Sequence, residues 1–326
     1  MDLNLLKRNQ GISFELKKKA IEKSRKCSLF NCTTPSILSH TIQKSKLKEI
    51  LAPDGHVYTI DSTGFIEVGT LSKFKKVGVG NALTFKGFCS VHDNQIFQPV
   101  ERINADFTTY ESFLLFSFRA VMNEIRKKEI IIDWFESLLN HPKLHVSINK
   151  ENVKAGLRGQ LLGIQDLKYV EDEILNEIAR LPNHNRSFVY KVLILPSIPV
   201  CGSAIYNEES FEDMASHTYG PNGESPLNSR LIHIIPDLNS TYLIIGYHSS
   251  FNNKNSQFFS ELEQRDNSSL LSLANDLLVK RIESWACSTQ FYLEKVRPVE
   301  EEFLRLFSHP NTKRFMESQL AINILS

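Results

Sequence analysis

The feature that most restricts this chain is a set of four residues in its first third. Cys27 and Cys32 are spaced C-x4-C, beside Thr33, Thr34 and Pro35. Cys89 and His92 are spaced C-x2-H, where a strand-like pattern gives way to a helical one. Thiolate and imidazole in groups of four are preferred tetrahedral ligands of zinc. A short loop presents the first pair. The first turn of a helix presents the second, because residues i and i+3 share a face. One ion would then tie together two stretches separated by 56 residues. The alternative is three buried thiols and an unconnected histidine. Five cysteines, an odd count, do not make a disulfide framework. Cys201 and Cys287 lie in apolar patterns and read as ordinary buried thiols.

Hydrophobic residues make up 41% and charged residues 23% of the 326, which are globular proportions. Wholesale disorder and a collagen-like fibre are excluded. No run approaches the ~18 apolar residues of a membrane helix, so no membrane partner is expected. Lys7, Arg8 and Lys17 to Lys19 interrupt every candidate signal-peptide core, and the expected location is the cytoplasm. The net charge of +1 hides an asymmetry: the first 76 residues hold 14 basic and 7 acidic residues. A basic N-terminal part suits contact with the phosphates of DNA or RNA. The competing reading is a solvated helix face formed by Lys17, Lys18, Lys19, Lys23, Arg25 and Lys26.

Residues 12–26 read as a basic helix, and 36–42 as a short strand or turn carrying Ser39 and His40. Residues 46–51 read as one or two helical turns, 56–60 as a strand, and 64–88 as short strands and loops. Residues 107–140 form the clearest long helical stretch. Phe113, Phe116, Ala120, Met122, Ile125 and Trp134 mark its apolar side, and Arg126 to Glu129 form a solvated patch. Residues 150–181 continue as a helix whose core face includes Leu157, Leu161, Ile164, Leu167, Ile174 and Ile178. The chain then turns β-rich over 188–195, 201–206, 231–235 and 242–247, with Asp237 to Ser240 suggesting an antiparallel pair. Residues 207–229 form a long polar loop, of a length often associated with function. Residues 256–294 and 298–324 return to helix. Gly78-Val79-Gly80 lacks the setting of a dinucleotide fingerprint, and Gly202-Ser203-Ala204 lacks that of a nucleophile elbow. His184, His217, His233 and His248 read as satisfied sheet-face histidines. Glu171-Asp172-Glu173 reads as a solvated run.

Cys27-x4-Cys32, then Ser39-His40-Thr41-Ile42, then Phe88-Cys89-Ser90-Val91-His92-Asp93-Asn94 resemble HNH-type (treble-clef, ββα-metal) proteins over residues 25–105. In that family a zinc knuckle precedes a histidine-bearing strand, and a final ligand pair opens a helix. Phe97 and Glu101 fall in the helix that follows. The resemblance implies a structural zinc on Cys27, Cys32, Cys89 and His92. It implies His40 as the general base that activates water against a phosphodiester. It further implies Asp93 as holder of a catalytic Mg or Mn ion, and Asn94 or Asn81 as the group that orients His40. The chain departs from the family at Ser39, where an acidic residue is usual, and a second metal-binding histidine has no clear counterpart. His40 as a zinc ligand, or as a partner of Ser39, therefore stays open.

The expected fold class is α+β: a treble-clef-like zinc module at the N-terminus, long central helices, then a mixed or antiparallel sheet covered by C-terminal helices. Two domains are expected: 1–105, the zinc-binding HNH-like module with its basic helix, and 106–326, an α+β domain of unknown role with a possible protein partner. The leading functional expectation is a metal-dependent nuclease or a degenerate relative, by family analogy in a bacterial defence (antiviral) or toxin system. The alternative is a non-catalytic, zinc-stabilised nucleic-acid- or protein-binding protein. A third reading places an enzyme site in the β-rich half around the 207–229 loop.

Overall fold

A computed structural model describes residues 3–61, 73–102, 105–144, 149–182, 186–208, 227–308 and 322–325. Helix α1 (Leu3–Glu22) is followed by strand β1 (Leu38–His40) and a short helix α2 (Lys44–Lys46) that runs into a wider turn over Leu47–Leu51. Strands β2 (His56–Asp61), β3 (Lys73–Gly78) and β4 (Thr84–Lys86) lead to helix α3 (Ser90–Glu101). Two long helices follow, α4 (Tyr110–Asn140) and α5 (Lys150–Ala179). Then come β5 (Phe188–Pro196), β6 (Val200–Asn207), β7 (Ser229–Pro236) and β8 (Ser240–His248). The described chain continues with α6 (Asn252–Leu262), α7 (Asn267–Lys280), β9 (Trp285–Ser288), α8 (Thr289–Phe291) and α9 (Glu300–Ser308).

The fold is α+β. Seven strands form one sheet in the order β3-β2-β9-β6-β7-β8-β5, and every neighbouring pair is antiparallel. Strands β1 and β4 form a separate two-stranded ribbon, with Leu38 opposite Lys86 and His40 opposite Thr84. Two strands of the large sheet come from the first 105 residues and five from the rest.

The sheet is covered on both faces, which explains why β7 and β8 read as near-continuous apolar runs. On one face Cys201, Ile205, Leu231, Ile235 and Ile244 join the core built around α4. On the other face Val200, Ile232, Ile234, Leu243 and Ile245 pack with Leu273, Leu277 and Phe303 from α7 and α9. Strand alternation assigns the faces: 231 and 235 point one way, 232 and 234 the other. Thr109 caps α4 through a hydrogen bond from the Ser112 amide, and Asn149 caps α5 through the amides of Glu151 and Asn152. Helix α1 lies on the later turns of α4, with Ala20 buried among Trp134, Phe135 and Leu138.

Several sequence readings change in detail. Residues 285–288, expected to be helical, form β9 between β2 and β6. Four residues, Trp-Ala-Cys-Ser, are too few to show alternation against helical flanks. Arg126 is buried, not solvated, and donates to the Lys26 carbonyl and to Ser28 Oγ. Glu171 is also buried and is paired with Lys168 at 2.6 Å, whereas Leu161 is half exposed. His233 sits in the sheet core between Ser203 Oγ (2.8 Å) and Ser117 Oγ (3.1 Å), and burial depresses its pKa to about 3, so it is neutral there. His248 lies apart from it, 3.7 Å from Glu173. Residues 64–72, His184, 209–226 with His217, and 309–321 lie outside the described residues.

The α4-to-sheet contact depends on a missing side chain. A Cβ placed on Gly246 of β8 would stand 2.3 Å from the Phe113 ring, and Phe113 is wholly buried. Gly246→Ala is therefore expected to cost about 1–3 kcal/mol through overpacking. Urea denaturation of wild type and variant checks this, and an unchanged midpoint would contradict it.

Candidate metal centre and the histidine beside it

The loop carrying the first ligand pair is closed by its own backbone. The Cys27 amide donates to the Thr34 carbonyl (2.9 Å), and Lys26 bridges Pro35 across the loop. Inside it, the Cys32 amide donates to the Leu29 carbonyl (3.1 Å), and Asn31 takes φ of 61°. Asparagine is among the non-glycine residues that tolerate this left-handed region. The loop is joined to the segment before α3: Ser28 donates through its amide to Gly87 O (2.9 Å), and Ile37 to Phe88 O (2.7 Å). Cys89 has extended backbone at the start of α3, and the Asp93 amide closes the first helical turn on Cys89 O (2.9 Å). Cys89 and His92 consequently project together toward the loop.

The four side chains meet. One ligand atom from each of Cys27, Cys32, Cys89 and His92 lies within 4.8 Å of every other. His92 Nδ1 is 3.4 Å from both Cys27 Sγ and Cys89 Sγ. Tetrahedral zinc with Zn–S of about 2.3 Å and Zn–N of about 2.0–2.1 Å would place sulfur and nitrogen about 3.6 Å apart. The donor set and spacing thus fit a metal such as zinc. Burial raises the Cys27 thiol above its ordinary value, while the Thr34 backbone lowers that of Cys32. Arg126 brings a buried positive charge to Cys27 from α4 while bonding the loop at Lys26 O and Ser28.

His40 is not one of the four. It is half buried on β1, and its Nε2 lies 3.0 Å from the Val79 carbonyl. A carbonyl only accepts, so Nε2 carries the proton and the neutral ring keeps its lone pair on Nδ1. Burial lowers the pKa of His40; the Val79 carbonyl opposes the shift, and Lys44 and Arg119 reinforce it. Ser39, the neighbour on the opposite strand face, is fully buried and accepts from the Phe88 amide at 3.3 Å. Its hydroxyl also hydrogen-bonds the Asp93 carboxylate.

Asp93 therefore faces the histidine strand from the first turn of α3. Its Oδ1 is buried without a hydrogen bond among the described residues, 3.7 Å from Arg119 Nη2. Burial pushes the Asp93 carboxyl up, and Arg119 pulls it back. Arg119 on α4 has no exposed surface. It pairs with Glu101 at 2.5 Å and stacks 3.9 Å over the Phe97 ring. Asn81 and Asn94 are exposed, and neither is hydrogen-bonded to His40, whose ring is held by Val79. The basic N-terminal residues divide. Lys23 and Arg25 pair with Asp133 at 2.6 and 2.5 Å, and Lys86 caps the carbonyls of Ile21, Glu22 and Lys23, whereas Lys18, Lys19 and Lys26 are exposed.

Sequence reasoning missed Arg119, Arg126 and Val79. An arginine inside Phe-Leu-Leu-Phe-Ser-Phe-Arg-Ala-Val-Met was a signal, since a charge within an apolar run needs a buried partner. A backbone carbonyl leaves no such trace.

Compared with known proteins, the chain matches no family model, no curated protein and no solved structure. No helix among the described residues is long and apolar enough to cross a membrane.

Purified protein is expected to carry about one zinc ion per chain by elemental analysis, held by the four ligands. Cys89→Ser should lose most of it. Its melting temperature should fall by several degrees, at roughly 2–4 °C per kcal/mol for chains somewhat smaller than this one. Full metal content in the variant would remove Cys89 from the ligand set.

Proposed function

We propose that this chain is a metal-dependent nuclease of the HNH type, with a structural zinc on Cys27, Cys32, Cys89 and His92 and His40 as the general base. The observation that carries the reading is the setting of His40: its ring is fixed through Nε2 on Val79 O, its charge state is biased toward neutral, and Asp93 is close by. The order of parts supports the same reading. A two-cysteine loop, a two-stranded ribbon carrying His40 and a helix opened by Cys89 and His92 follow one another as the treble-clef resemblance implies.

The residues divide the work. His40 Nδ1 takes a proton from water as the water oxygen bonds to phosphorus; the P–O bond to the leaving sugar oxygen breaks, and that oxygen takes a proton from solvent. Val79 O holds the ring so that Nδ1, rather than Nε2, is the basic nitrogen. Ser39 and Arg119 hold the Asp93 carboxylate. Asp93 would hold a Mg or Mn ion, which would supply charge stabilisation at the phosphodiester. Lys44, exposed and near enough to lower the His40 pKa, offers a positive charge to a phosphate.

One observation favours a second reading, a non-catalytic zinc-stabilised module. Arg119 supplies positive charge 3.7 Å from Asp93, and Ser39 occupies the place of the family's usual acid. A plasmid-nicking assay with Mg²⁺ or Mn²⁺ separates the two. The nuclease reading expects nicking by wild type and a loss of about 10²–10⁴-fold in His40→Ala, with zinc content and melting temperature retained. Equal nicking by both would remove His40 from the mechanism. No cleavage by zinc-loaded wild type with either ion would leave the second reading.

A further inference from the structure

A cleft of about 570 Å³ opens between α4, α5, the end of β6 and the C-terminal end of α7, away from His40 and the metal centre. Small-molecule sites run to roughly 300–1,000 Å³. Much of the wall is apolar, with Ala120, Leu162, Leu167, Ala204, Ile205 and Leu227. The charged groups are unevenly satisfied. Lys127 lies 3.3 Å from Glu124 and 3.6 Å from Glu283, and Lys128 lies 3.6 Å from Glu124. Arg281 is different. Its guanidinium sits 4.8 Å over the Tyr206 ring, Nη2 is 4.0 Å from Glu208, and its buried Nε has no hydrogen-bond partner among the described residues. Lys280 beside it is 2% exposed and lies 3.9 Å from Asp276. One end of the cleft thus carries Lys280 and Arg281 side by side, near Glu208 and Glu283, with one Arg281 donor unpaired among the described residues. A buried donor without a partner is costly, and an anionic ligand would recover that cost.

A glycine gives the second, independent observation. Gly159 lines the cleft from the middle of α5, and a Cβ built there meets nothing within 4 Å among the described residues. Its backbone is ordinary helix, so neither turn geometry nor packing among the described residues demands glycine. Glycine in a helix interior is less stable than alanine. Gly163, one turn on, also lines the cleft, with only the flexible end of Lys128 near its missing Cβ, at 3.0 Å. The two leave a strip of bare backbone on α5 against which a flat ring can lie.

We infer that the cleft binds a small anion bearing a flat ring system, of the nucleotide class, with its phosphate at Arg281 and Lys280 and its ring against Gly159 and Gly163. This site stands apart from the proposed nuclease centre. Isothermal titration calorimetry of the full chain tests it, using the four ribonucleoside 5′-monophosphates, inorganic phosphate and laurate as probes. At least one nucleotide is expected to bind with Kd of about 1–100 μM. Inorganic phosphate should bind at least tenfold more weakly, and laurate should not compete. Gly159→Leu should fill the cleft and weaken nucleotide binding at least tenfold, with melting temperature unchanged or raised. His40→Ala should bind nucleotide like wild type. The inference is overturned by no nucleotide binding below about 1 mM, by phosphate or laurate binding as tightly as nucleotide, or by unaltered affinity in a folded Gly159→Leu. Loss of nucleotide binding in His40→Ala would also overturn it, by moving the ligand to the other site.

Discussion

Arg119 has no exposed surface, and much of the structure is arranged around that fact. It lies in the stretch of α4 from Ser112 to Asn123 that is buried throughout. A helix without a solvent face needs partners all round. The sheet supplies one side, α5 another, and α3 with the β1–β4 ribbon a third. A guanidinium in such a place must be paired. Glu101 and the Phe97 ring, both from α3, provide the pairing. Glu101 is partly exposed, yet removing it would strand a guanidinium that has no exposed surface. Helix α3 is thereby fixed on α4 by charge as well as by apolar packing. Arg126, two turns later, does the same for the Cys27 loop. The metal ligands are thus brought together partly from outside, by two arginines of one helix.

The ribbon and the large sheet are interlocked by the chain. Between His40 and Thr84 the chain leaves the ribbon, adds β2 and β3 to the sheet, and returns. Val79 lies on that return, just beyond β3, and its amide donates to Gly55 O at 3.0 Å while its carbonyl holds His40. The orientation of the histidine therefore depends on a strand hairpin whose own place is set by β9, nearly 230 residues after Tyr58 in sequence. A small finger standing alone would lack that support.

What could be read from the sequence follows from the range of the forces involved. Strands β5 to β8 and helices α4 and α5 were legible because side-chain period is a local signal. The Cys27, Cys32, Cys89 and His92 group was legible because metal-ligand chemistry narrows the residue types sharply. β9 was not, being four residues long and held by neighbours on β2 and β6. The burial of Arg126 was hidden in a run that looked like a polar helix face, since its partners lie about 100 residues earlier. Likewise Asn81 and Asn94 carry the right functional group for orienting a histidine, yet the group that does so is a valine carbonyl. Any residue type can supply that atom, so no sequence pattern marks it.

The charges around Asp93 bear on how the proposed reaction would proceed. Asp93 and Glu101 contribute two negative charges, Arg119 and Lys44 two positive ones, and His40 is neutral. Such a group has no net charge with which to attract a divalent cation. Asp93 offers it one buried oxygen that lacks a hydrogen bond, and Ser39 offers a hydroxyl already committed to Asp93 and Phe88. Magnesium commonly meets such sparse sites by taking one carboxylate together with oxygens of the substrate phosphate. Within the proposed reading, the phosphodiester would therefore supply the negative charge that the site itself lacks. Ion and substrate would bind cooperatively, and the free protein would hold its zinc firmly but a second cation only weakly. An acidic residue at position 39 would shift that balance, which gives the departure at Ser39 a physical consequence.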